Sequence, residues 1–80
     1  MSSKSKTMQR LLNRPKDLRF MELEKILSWC GYTRVRTIGS HAHYFKEGYP
    51  PLTIPIHSPV KSYLINQVLD IIENDIEELL

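Results

Sequence analysis

Histidine is the side chain best suited to proton transfer near neutral pH, and this chain has three: His41, His43 and His57. His41 and His43 lie two apart in Gly39-Ser40-His41-Ala42-His43-Tyr44, and His57 ends Leu52-Thr53-Ile54-Pro55-Ile56-His57. Alternate residues of a strand project from one face, so His41 and His43 are expected on the same side of a sheet. Three chemistries are open to such a set. His41 can act as an acid–base group, with His43 and the Ser40 hydroxyl in support. The three imidazoles can serve as three ligands of a zinc ion. Or His41 is a polar turn residue and does no chemistry. Glu47 is the one carboxylate in the strand region, so an obvious fourth metal ligand is lacking. The expectation is a site without metal or other cofactor.

The elements that must position these residues are legible in the periodicity. From Arg19 to Cys30 the apolar residues Phe20, Leu23, Leu27 and Cys30 recur at helical spacing, with Ile26 and Trp29 broadening the stripe. Gly31 stands where a helix C-terminus favours glycine. Thr33–Ile38 is β-branched with alternating Arg34 and Arg36, which predicts a strand with both arginines on one face. Gly39-Ser40 predicts a turn and 42–46 a second strand, in which Tyr44 and Phe45 face opposite ways. In the third strand Leu52, Ile54 and Ile56 alternate with polar residues and Pro55, and the proline places that strand at an edge. From about Lys61, Leu64, Val68, Ile71 and Ile72 predict a last helix that breaks near Asn74-Asp75 or runs on through Ile76. The expected fold is α+β: an α-β-β-β-α two-layer sandwich, with two helices on one face of a three-stranded antiparallel sheet.

Eighty residues suffice for one domain with a modest core. Residues 1–17 are polar and basic and are expected to be a disordered tail, with at most a helical turn over 7–13. Residues 18–80 are expected to form the domain. The net charge of +2 conceals a polarity, with the first 19 residues basic and the segment 62–80 carrying five acidic residues and no Lys or Arg. A basic segment suits a polyanion and an acidic one suits a basic partner. No apolar run approaches the roughly 20 residues that span a bilayer. The N-terminus has no apolar signal segment, so the expected location is the cytoplasm. The lone Cys30 is expected to be a packed apolar residue.

Leu27-Ser28-Trp29-Cys30-Gly31-Tyr32, then Val35, Gly39-Ser40-His41 and Tyr44, and later Ile54-Pro55-Ile56-His57 with Lys61, form a series that resembles the HicA toxin family over about residues 18–73. The resemblance implies a double-stranded-RNA-binding-like fold and a ribonuclease that cleaves mRNA. It also implies a type II toxin–antitoxin pair in which a HicB-like antitoxin protein silences the toxin. Metal-free RNA cleavage needs a base for the 2′-hydroxyl, an acid for the leaving 5′-oxygen and charge to stabilise the phosphorane. His41 is the residue so implicated, Ser40 and His43 are its candidate supports, and Gly39, Arg34, Arg36, Lys46 and Lys61 are the candidate RNA contacts. His57 is expected to be structural. Two other readings compete: a non-catalytic RNA-binding module on the same scaffold, and a protein-interaction domain that docks through its acidic last helix.

Overall fold

The computed structural model describes residues 3–80. The elements run α1 (Ser3–Leu12), α2 (Phe20–Trp29), β1 (Thr33–Ile38), β2 (His41–Phe45), β3 (Leu52–Pro55) and α3 (Ser62–Leu79). The sheet is antiparallel with strand order β1-β2-β3, so the expected α+β architecture holds and Pro55 does sit on an edge strand. One face of the sheet presents Ala42, Tyr44, Leu52 and Ile54 to the helices, and these join α2 and α3 in a single apolar core. Cys30 is buried in that core.

The largest departure from expectation is at the N-terminus. Residues 3–12 are helical where a disordered tail was expected, and Met8 and Leu11 are fully buried in the core. The helix packs on α2 and α3. Burying each such side chain contributes about 1.5–3 kcal/mol, which offsets the cost of ordering a polar segment that would not be helical alone. The domain therefore begins within the supposed tail. Residues 1 and 2 of that tail lie outside the described residues.

α3 is also continuous, without a break at Asn74-Asp75. Ile72 and Ile76 are fully buried one turn apart, which carries the apolar stripe through the expected break. The Asp75 carboxylate is held by tertiary contacts, accepting the Tyr49 hydroxyl at 3.2 Å and facing Lys46 Nζ at 3.5 Å.

Local signals at the ends of α2 fix the loops around the sheet. The Glu22 carboxylate accepts the Arg19 backbone N–H at 3.0 Å, half of a capping box. At the other end Tyr32 N–H reaches the Leu27 carbonyl at 2.9 Å and Gly31 N–H the Ser28 carbonyl at 3.1 Å, a Schellman motif with Gly31 at φ +95°. The β3–α3 loop is pinned to the start of α2 by two bonds. Phe20 N–H donates to Ser58 Oγ at 2.9 Å and Val60 N–H to the Leu18 carbonyl at 2.8 Å.

Candidate active site

Ile38 pairs with His41 across the ladder, so Gly39-Ser40 is a two-residue hairpin loop. Gly39 has φ +58°, and glycine with positive φ at the first central position is what a type II′ hairpin uses. The Ser40 carbonyl accepts the Ile56 N–H at 2.6 Å, which ties the turn to the end of β3. His41 thus begins β2 at a point anchored on both sides, and it is exposed.

Cross-strand partners share a face. The face of the sheet away from the helices therefore carries Arg36 and Ile38 from β1, His41, His43 and Phe45 from β2, and Thr53 and Pro55 from β3. His41 and His43 do share this face, and His43 Nδ1 lies 3.1 Å from Thr53 Oγ1. Ile38 and Phe45 are 59% and 52% exposed, so the face is open and partly apolar. It has no acidic side chain among the described residues.

The two arginines of β1 do not share a face, contrary to expectation. The register jumps between Arg34 opposite Tyr44 and Arg36 opposite His43, leaving Val35 as a bulge. Arg34 turns to the helix side, where its guanidinium grips Glu24, with Nε 2.6 Å from Oε1, and lies over the Phe20 ring. The Tyr44 hydroxyl donates to the same carboxylate at 2.8 Å, and burial together with that contact holds the phenol above its ordinary value. Arg36 remains on the open face and forms no ion pair among the described residues.

Lys46 is likewise not near His41. Lys46 lies five positions along the extended chain from His41, about 17 Å at 3.3 Å per residue. Its ammonium lies 3.7 Å from the Tyr49 ring centroid and 3.5 Å from Asp75, so it closes the far end of the core. Lys61, by contrast, directly precedes α3 beside the turn and is exposed and unpaired among the described residues.

A cleft of about 370 Å³ opens between the hairpin turn, the end of β3 and the start of α3. Ser40, Ile56, His57, Lys61 and Tyr63 line it. His57 makes a hydrogen bond of the structural kind expected of it, Nδ1 to the Pro59 carbonyl at 3.2 Å, and it also lines this cleft. Tyr63 was passed over, although it falls off the apolar stripe of α3 (Leu64, Ile65, Val68, Leu69, Ile72, Ile76) and is 62% exposed. An aromatic off the buried stripe, next to a lysine at a helix start, was the available signal.

No three His, Cys, Asp or Glu side chains converge as a metal site among the described residues. The arrangement offers an imidazole on a cation-bearing face, next to a cleft with a hydroxyl and an ammonium.

A family model described as the HicA toxin of bacterial toxin–antitoxin systems matches residues 20–73. No curated protein and no solved structure gives a match. The matched span runs from the first residue of α2 into α3 and includes every candidate residue above.

Proposed function

The chain belongs to the HicA toxin family, and on that premise we propose that it is an mRNA interferase, the toxin of a type II toxin–antitoxin pair, that cuts RNA by metal-independent catalysis through His41. The observation that supports this best is the placement of His41. It stands exposed at an anchored hairpin, on a sheet face with an arginine that forms no ion pair and with no carboxylate among the described residues, one residue from a cleft that holds Ser40 and Lys61.

The chemistry follows from those groups. The His41 imidazole takes the proton of a 2′-hydroxyl, and the 2′-oxygen attacks the adjacent phosphorus. The P–O5′ bond breaks, giving a cyclic phosphate and a 5′-hydroxyl end. Lys61 and the Ser40 hydroxyl face the charge that develops on the phosphoryl oxygens. Arg36 on β1 and Phe45 on β2 extend the contact across the open face, one toward phosphate and one as a surface on which a base stacks. His43 is a positioning residue held by Thr53. Arg34 and Lys46 leave the set of RNA contacts, because each is engaged inside the protein.

Family membership also supports an RNA substrate and a protein partner, a HicB-like antitoxin that silences the toxin. No helix among the described residues is long and apolar enough to cross a membrane, and the proposed place of action is the cytoplasm, where mRNA is found.

The test is His41→Ala in the full chain, assayed for cleavage of RNA in the presence of a chelator and for growth inhibition on expression. Both activities are expected to be lost, by about 10²-fold or more, with the circular dichroism spectrum and melting temperature unchanged. Full activity in that variant overturns the role given to His41. Salt-sensitive RNA binding without cleavage by the wild-type chain would favour the binding-module reading.

A further inference from the structure

Metal-free cleavage needs an acid as well as a base, since an unprotonated 5′-alkoxide is a poor leaving group. His43 shares the open face with His41, but its Nδ1 is engaged with Thr53 and it lies two residues farther along β2. His57 is placed differently. Its Nδ1 is 3.2 Å from the Pro59 carbonyl. A carbonyl can only accept, so Nδ1 must carry the proton in that bond and Nε2 is the nitrogen left for other work. The bond holds the ring in one orientation, in a loop itself pinned to α2 through Ser58 and Val60.

The register brings the His57 backbone to the end of the sheet where His41 begins β2. His41 pairs with Pro55, and Ile56 N–H bonds the Ser40 carbonyl, so His57 comes just past the residues opposite the turn. Strand β3 ends at Pro55 and the Ile56–Ser40 bond carries the pairing one residue further, so the His57 backbone leaves the sheet at the end where His41 begins β2. Ser40 and Lys61 line the same cleft as His57, and so does Pro55, the cross-strand partner of His41.

We propose that His57 is the general acid of the reaction, donating a proton from Nε2 to the leaving 5′-oxygen of a phosphodiester held at the mouth of the Ser40–His57–Lys61 cleft. The assignment rests on the ribonuclease reading above and goes beyond it. Before the step His41 is neutral and His57 is an imidazolium. The 2′-O–P bond forms as the 2′-proton passes to His41. The P–O5′ bond breaks as the Nε2 proton passes to the 5′-oxygen, while Nδ1–H stays on the Pro59 carbonyl throughout.

The experiment pairs two variants with two substrates. In His57→Asn the side-chain amide N–H replaces Nδ1–H toward Pro59, so the loop is kept and Nε2 is lost. His57→Ala removes both, and melting curves report whether either variant loses its fold. The substrates are an ordinary oligoribonucleotide and the same sequence with a bridging 5′-sulfur at the scissile position, a leaving group that needs no proton. The expected result is that His57→Asn slows cleavage of the ordinary RNA by about 10²- to 10⁴-fold and cuts the 5′-thio RNA at nearly the wild-type rate. His41→Ala is expected to be slow on both. Equal loss on both substrates in a folded His57→Asn protein overturns the acid assignment, as does wild-type activity on both. If the wild-type chain cuts neither substrate, the ribonuclease reading itself fails and the acid assignment with it.

Discussion

Arg36 lies directly across the β1–β2 ladder from His43, on the face of the sheet that the helices leave open. Arg34, two residues earlier, lies across from Tyr44 on the helix side, because the bulge at Val35 inserts one unpaired residue between them. A single extra residue thus divides two arginines that simple alternation puts together, one left free and one bound to Glu24.

That division predicts opposite phenotypes. Arg36→Ala should weaken RNA binding and lower the slope of log affinity against log salt by about 1, with stability unchanged to within about 0.5 kcal/mol. Arg34→Ala should leave that slope alone and lower the melting temperature, since Glu24 then loses its cation. Salt titrations of RNA affinity beside thermal melts separate the two. A reduced slope in Arg34→Ala would contradict the proposed interface.

Leu11 is fully buried although it belongs to a segment that reads as a tail. Leu11→Ala is expected to destabilise the protein by about 2–5 kcal/mol, measured by urea or thermal unfolding. An effect below about 0.5 kcal/mol would mean that α1 contributes no packing.

Gly31 carries two constraints at once. Its φ is +95°, and a Cβ built there would lie 3.3 Å from Lys46 Cε. Gly31→Ala should cost about 1–2 kcal/mol from the backbone alone, with some further cost from displacing Lys46. Gly39→Ala meets no neighbouring atom within 4 Å, so only the backbone contribution applies. Comparing the two by chemical denaturation isolates the steric part.

Glu22 should give the acid limb of stability its shape. The Arg19 backbone N–H, and then the Arg10 guanidinium, hold its carboxyl below the ordinary value of 4.5. A depressed carboxyl stabilises the fold fully above the unfolded value and loses that contribution as pH falls through the lower folded value. Wild-type melting temperature should therefore drop more steeply than that of Glu22→Gln as pH falls below about 4.5. The two proteins should differ most at neutral pH and converge in acid. A constant difference from pH 7 to 3 would sever Glu22 from that linkage.

Sequence alone determined the features that depend on local chemistry. Helical spacing from Phe20 to Cys30 with Gly31 as its stop, the β-branched run Thr33–Ile38, the Gly39-Ser40 turn and the proline of the edge strand are all present in the structure. Each records a preference of the residue itself or of its immediate neighbours. The segment that carries His41 was legible for the same reason.

Tertiary structure decided what no local preference encodes. Met8 and Leu11 are too few to announce a helix, and they order residues 3–12 only because α2 and α3 offer a core to bury them in. The bulge at Val35 is a pairing event between two strands, so alternation within β1 could not show that Arg34 and Arg36 part company. Lys46 looked like a free cation until Asp75, distant in sequence, met it across from the neighbouring Tyr49 ring. His57 gained its place beside the turn through the register of β3 on β2 and through a carbonyl two residues on. Local sequence wrote the turn that starts β2 at His41, and long-range packing chose which cations stay free on its face and where His57 leaves the sheet.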